Sequence, residues 1–224
     1  MMFQIKICGI TRAPDADVAV SAGADALGFN FHPRSRRFVS AQAAPKLLSA
    51  VSGSAVKVGV FVNSSAQEIT DVVRKTGLEC VQLHGDEPAE LLAQLPSHLS
   101  IVSAYRCGAR GLAPLADYLD ECRAHSRAPD AVLIDADADA TVEFGGTGRV
   151  ADWERIARDR ALLGDIPLIL AGGLTPANVA DAIAAVRPSG VDVASGVESQ
   201  PGQKDPNLVE RFVTAARDAF SRYR

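Results

Sequence analysis

The chain has 224 residues, 47% of them hydrophobic and 22% charged, with a formal net charge of −4. It is long enough to bury a substantial core, and its composition is that of an ordinary soluble globular protein. No block of Lys and Arg, no apolar run near the ~20 residues of a membrane span and no signal-like N-terminus is present, so neither nucleic acid nor a membrane is expected as a partner and a cytoplasmic location is expected.

Short apolar runs rich in Val and Ile alternate with stretches of helical period along the whole chain. The first run is FQIKIC at 3–8, followed by a helical pattern at 14–22. Then come ADALGFNF at 24–31 with a helix at 41–51, AVKVGVFV at 55–62 with a helix at 66–75, and ECVQLH at 79–84 with a helix at 88–95. The run LSIVSAY at 99–105 precedes a helical region at 112–123, which Pro114 is expected to break. AVLIDA at 131–136 is followed by a late helix at 153–162. IPLILAG at 166–172 leads to Thr175, expected to be an N-cap, and Pro176, expected to open a helix that reaches 186. GVDVAS at 190–195 and a last helix at 207–220 complete the pattern.

Strands that are apolar at most positions and separated by helices are covered on both faces, parallel, and joined by right-handed crossovers. Eight such units predict an α/β fold, a (β/α)8 TIM barrel forming one domain over residues 1–224. The structural rival, an open doubly wound sheet, usually carries GxGxxG after its first strand, and that fingerprint is missing here.

In a barrel of this kind the chemistry gathers where the strands end. Cys8, Gln82, His84, Arg106 and Asp135 stand at such ends. LAGGLT at 170–175 and VASGVE at 193–198 follow the seventh and eighth runs, where glycine lets backbone N–H groups approach an anion closely. Gly172, Gly173, Ser195 and Gly196 are therefore candidate phosphate binders, with Gly145 and Gly146 of FGGTG closing over the same group; the plainer reading is that these glycines only make tight turns. Asp135 is a candidate proton donor or a turn cap, and Cys8 a thiol at the barrel mouth or a buried apolar residue. A Cys–Asp pair without a His-based triad fits proton transfer better than acyl transfer. Alternation puts Lys6 on the side of Cys8, where an ammonium within reach would lower the thiol's pKa.

HPRSRRF at 32–38 is either a solvated basic loop or the source of an arginine that forks onto a substrate carboxylate. Gln82 and His84 share one side of their strand and either line the pocket or are satisfied polar core residues. Cys8, Cys80, Cys107 and Cys122 show no CxxC spacing and no His cluster joins them, so no zinc site is expected and reduced thiols are.

KICGIT (6–11), GADALGFNF (23–31), SRRFVS (35–40), VGVFVN (58–63), VQLHGDEP (81–88), LIDA (133–136), FGGTG (144–148), LAGGLTPANV (170–179), VDVASGVES (191–199) and PGQKD (201–205) together resemble the phosphoribosylanthranilate isomerase family of tryptophan biosynthesis. The likeness runs in order through nearly the whole chain and is weakest over 104–130. It implies an aldose–ketose isomerase acting on phosphoribosylanthranilate by an Amadori rearrangement, with no metal or organic cofactor. It implies Asp135 as general acid and Cys8 as general base, Arg37 on the anthranilate carboxylate, and Gly172, Gly173, Ser195, Gly196 and the 145–148 loop on the phosphate. Asp192 would help position the sugar. A sister aminoaldose isomerase of histidine biosynthesis would resemble a barrel with an aspartate where Cys8 stands; a barrel that only binds sugar phosphate would bind without turnover. Neither length nor pattern separates a monomer from a homodimer.

Overall fold

The chain was described from a computed structural model covering residues 3–51, 53–135 and 152–223. Eight strands follow one another around a closed barrel: β1 (Ile5–Cys8), β2 (Ala26–Asn30), β3 (Val56–Phe61), β4 (Cys80–Leu83), β5 (Ser100–Arg106), β6 (Ala131–Asp135), β7 (Leu168–Ala171) and β8 (Gly190–Val193). Each pairs in parallel with its sequence neighbour, and β8 closes on β1 with Lys6 opposite Asp192.

Two apolar layers account for the closure. Ile5, Ile7, Leu27, Val81, Ile101, Val132, Ile134, Leu168 and Val191 point outward and pack against the helices. The alternate residues point inward, where Ala26, Val58, Cys80, Val102, Ala131, Leu133, Ile169 and Ala171 fill the barrel and Phe3 joins them. Because side chains alternate along a strand, Lys6 and Cys8 on β1, Gln82 on β4, Asp135 on β6 and Asp192 on β8 fall on the inward face. Small residues set the room inside: a Cβ at Gly28 would lie 2.6 Å from the Cys8 sulfur.

The helices are α1 (Ala13–Ser21), α2 (Ala44–Ser49), α3 (Ala66–Thr76), α4 (Ala89–Gln94), α5 (Ala113–Ala124), α6 (Trp153–Asp159), α7 (Val179–Val186) and α8 (Pro206–Ser221). Their ends follow local chemistry. Ser65 and Glu68 form a reciprocal capping box at α3, which stops at Gly77 in the left-handed conformation. Asp205 caps α8 ahead of Pro206.

Two expectations need correction. Pro114 does not break α5; it lies in the first turn, where its missing N–H has no helical acceptor to lose. Thr175 does not cap α7, which begins at Val179. Residues 175–178 form a separate turn: the Asn178 side chain accepts from Thr175 N–H (2.8 Å) and donates to the Gly173 carbonyl (3.0 Å), while Thr175 Oγ1 accepts from Ala177 N–H (3.3 Å). These side-chain bonds satisfy the backbone before a helix can start.

After β8 the chain makes a 3-10 turn, Ser195–Val197, then a two-stranded hairpin of β9 (Glu198–Gln200) and β10 (Gln203–Lys204) that the sequence patterns do not announce. Pro201 and Gly202 make its turn, with Gly202 at φ +82°, as a type II turn requires of its third residue. Thr11 Oγ1 donates to the Gly202 carbonyl (2.6 Å), and Lys204 N–H donates to Asp15 Oδ2 (3.2 Å). The hairpin is thus strapped to the loop after β1 and to the first turn of α1.

At the other end of the barrel, carboxylates serve the frame. Asp25 accepts from Ile5 N–H (2.9 Å) and pairs with Arg217 (3.1 Å); Asp130 accepts from Ile101 N–H (2.8 Å). No helix among the described residues is long and apolar enough to cross a membrane.

Candidate active site

The C-terminal rim of the barrel carries two groups of polar side chains. The first is built on β1 and β8. Lys6 is fully buried and its Nζ lies 2.9 Å from Asp192 Oδ1. Cys8, two residues further along the same strand, is a buried free thiol. Burial pushes the Cys8 thiol up; Lys6 opposes this, Asp192 adds to it and Lys204 opposes it, with the net direction upward. Alternation put Lys6 and Cys8 on the same side; Lys6 does act on the thiol, but its pull is outweighed by desolvation. Lys6 itself, pushed down by burial and up by Asp192 and Cys8, ends near 12.

Arg37 reaches this group from the loop after β2. Its stem crosses Gly9, which sits at φ +78°; a Cβ there would overlap Arg37 Cδ. Only glycine allows both that backbone conformation and that approach. The guanidinium forks onto Glu198, Nε to Oε1 at 2.7 Å and Nη2 to Oε2 at 2.6 Å. Lys204 Nζ lies 2.9 Å from the same Oε1 and donates to the Ala194 carbonyl (3.0 Å). Burial raises the Glu198 carboxyl, but Arg37 and Lys204 together hold it below the usual carboxylate range.

The second group lies on β4 and β6. Gln82 is fully buried, and its side-chain amide nitrogen is 2.6 Å from His84 Nδ1. His84 Nε2 in turn stands 3.7 Å from Asp135 Oδ2. Asp135 closes β6, and its carbonyl accepts from Cys107 N–H (3.0 Å). Behind this group Glu87 accepts from Asn63 N–H and Gly85 N–H, each at 2.8 Å, and so ties the loops after β3 and β4 together.

The glycine loops lie side by side. Gly172 and Gly173 take φ of +87° and +62° directly after β7. Ser195 and Gly196 open the 3-10 turn after β8, and a Cβ at Gly196 would overlap the Leu174 carbonyl oxygen. The two backbone segments pack so closely that there is no room for a side chain at Gly196, and one of them takes a conformation that favours glycine. Gly145 and Gly146 lie outside the described residues.

Of the residues singled out in the sequence, Lys6, Cys8, Asp192 and Arg37 come together, and Gln82, His84 and Asp135 form a separate run. Arg37 meets Glu198 where a substrate carboxylate was expected, and Asp192 is engaged with Lys6. Glu198 and Lys204 were not singled out, although both lie in quoted motifs, VDVASGVES and PGQKD. Their only sequence signal is a charged residue on either side of a Pro–Gly turn. Among the described residues no group of three or more His, Cys, Asp or Glu could hold a metal ion.

A closed parallel (β/α)8 barrel with a thiol, a carboxyl and two glycine loops at the C-terminal ends of its strands belongs to the class of barrels in which the strand ends carry the functional groups. A family model described as N-(5'phosphoribosyl)anthranilate (PRA) isomerase matches residues 5–215. The N-(5'-phosphoribosyl)anthranilate isomerase of Thermotoga maritima is 38% identical over 218 residues, which span 96% of this chain and 99% of that protein. The crystal structure of the Thermotoga maritima isomerase superposes with a TM-score of 0.85 at 37% identity, covering 97% of this chain and all of the other. A phosphoribosyl anthranilate isomerase solved in complex with reduced 1-(o-carboxyphenylamino)-1-deoxyribulose 5-phosphate superposes with a TM-score of 0.81 at 35% identity, again over 97% of this chain. This chain belongs to the N-(5'-phosphoribosyl)anthranilate isomerase family.

Proposed function

We propose that the chain is a cytoplasmic enzyme of tryptophan biosynthesis that converts N-(5'-phosphoribosyl)anthranilate into 1-(2-carboxyphenylamino)-1-deoxyribulose 5-phosphate. The observation that carries this reading is the pairing of family membership with an inward-facing Cys8 and Asp135 at the ends of β1 and β6.

Asp135 protonates the furanose ring oxygen as the C1–O bond breaks, and the nitrogen lone pair completes a protonated imine. That imine is an electron sink, so the C2 proton becomes acidic. The Cys8 thiolate removes it, the C2–H electron pair forms the C1=C2 bond, and the imine π pair returns to nitrogen. The enolamine then loses its C2 hydroxyl proton and gains one at C1, giving the ketone with no change of atoms or oxidation level overall. A buried thiol is mostly protonated in the free enzyme; the cationic imine beside Cys8 then favours its ionised form only when substrate is in place.

The remaining residues hold the substrate. Gly172, Gly173, Ser195 and Gly196 grip the phosphate, helped by Gly145 and Gly146, and Arg37 meets the anthranilate carboxylate. Gln82 and His84 line the pocket beside Asp135. Asp192 holds Lys6 next to the thiol while facing the sugar. The test is a fluorescence assay of the loss of phosphoribosylanthranilate by purified protein. Turnover that vanishes in both Cys8 and Asp135 variants supports the reading; binding of the reduced product analogue without any turnover by the wild type overturns it in favour of a binding-only barrel.

A further inference from the structure

The clamp on Arg37 goes beyond what the proposed chemistry requires. A guanidinium has two edges on which a carboxylate can form a fork. In this structure the Nε/Nη2 edge is taken by Glu198, a side chain 161 residues away in sequence and only 4% exposed. The outer edge, Nη1 with the second hydrogen of Nη2, makes no hydrogen bond among the described residues. The Arg37 side chain as a whole is 19% exposed, against 4% for Glu198.

Glu198 is itself held. Lys204 faces it across the β9–β10 hairpin at 2.9 Å, and Gly202 N–H approaches Oε1 at 3.3 Å. The hairpin is strapped to the loop after β1 through Thr11 and to the first turn of α1 through Asp15. The Arg37 stem therefore lies between Gly9 on one side and a fixed carboxylate on the other. A free arginine carries large rotamer entropy, which must be lost when it binds a ligand. Here that ordering is already complete before a ligand arrives. The charges also close locally: Glu198 stands between Arg37 and Lys204.

We propose that Glu198, fixed by Lys204 across the β9–β10 hairpin, is a positioning residue that presents the outer edge of Arg37 to the carboxylate of the aminobenzoate ring. The proposal rests on the reading of Arg37 given above. It makes the hairpin a specificity element: it selects substrates whose aromatic amine carries an ortho carboxylate, without touching them.

The experiment measures binding of reduced 1-(o-carboxyphenylamino)-1-deoxyribulose 5-phosphate and of its counterpart lacking the ring carboxylate, to the wild type, Arg37→Ala, Glu198→Gln and Glu198→Asp. The wild type prefers the carboxylate ligand, and Arg37→Ala erases the preference. Glu198→Gln keeps the shape but loses the charge-assisted fork, and lowers the preference by about tenfold to a hundredfold while leaving the decarboxy ligand unchanged. Glu198→Asp retains the charge that Lys204 needs but is one methylene short of the fork, and lowers the preference likewise. In turnover the loss appears in KM more than in kcat. An Arg37→Ala protein that keeps the preference removes the reading of Arg37. A full preference in both Glu198 variants, with Arg37→Ala having lost it, overturns the positioning role alone. Equal weakening of both ligands by the Glu198 variants also overturns it, leaving Glu198 a purely structural ion-pair partner.

Discussion

Lys6 Nζ and Asp192 Oδ1 are 2.9 Å apart inside the barrel, on adjacent strands and directly opposite in register. An ammonium this deeply buried persists only with a matched partner. The pair sits one inward position below Cys8, so the feature that closes the first strand onto the last also sets the electrostatics of the candidate base.

Breaking that pair leaves Asp192 as an uncompensated buried charge. Lys6→Met should cost about 3–5 kcal/mol of stability, read by chemical denaturation, and Lys6→Met/Asp192→Asn should recover most of it. Lys6 rises from 10.5 to about 12 on folding, so its contribution is complete below pH 10.5 and is lost as the pH climbs through 12. A wild type whose stability shows no decline across that alkaline window contradicts the pairing.

Cys8 is pushed up by burial, with Lys6 only partly offsetting it. A base must be deprotonated to act, so kcat/KM should climb with pH beyond the ordinary thiol value of about 8.5. Alkylation of the free enzyme by iodoacetamide should accelerate over the same range. A profile that is level from about pH 6 to about pH 9 would mean a thiolate already formed in the free enzyme. Cys8→Ser should reduce kcat by roughly 10²–10⁴-fold, because a hydroxyl is a far weaker base.

Asp135 ends its strand with its carboxyl beside His84 Nε2 and little packed apolar surface to lose. Asp135→Asn is close to isosteric and should lower kcat by about 10²–10⁴-fold with an unchanged unfolding midpoint. Near wild-type turnover in this variant would move the acid elsewhere, with His84, 3.7 Å from Asp135, a candidate.

Gly196 touches the loop after β7 so closely that any side chain must move backbone. Gly196→Ala should part the two glycine loops and weaken phosphate-bearing ligands on the order of tenfold, about 1.4 kcal/mol, with competitive inhibition by ribose 5-phosphate as the readout. Unchanged inhibition would place the phosphate grip in other loops.

Much of this molecule was legible in its residues. Runs such as VKVGVF and AVLID, apolar at nearly every position and spaced by helical segments, dictate parallel strands covered on both faces, because only that environment buries both sets of alternate side chains. Strand alternation likewise put Lys6 and Cys8 on one side of the first strand, and Gln82 and His84 on one side of the fourth run, before any coordinates. Local chemistry misled where side chains compete for the backbone: Thr175 and Pro176 have the form of a helix start, yet Asn178 diverts those bonds into a separate turn. What the chain by itself determined is the order of its strands and which face each residue takes, since these follow from periods of two and 3.6 along a single segment. What only the tertiary structure decided is partnership: that Arg37 meets Glu198, that Lys204 backs it and that burial outweighs Lys6 at the Cys8 sulfur. Those depend on distances between segments far apart in sequence and on how much water the fold removes from between them, quantities that no local pattern encodes.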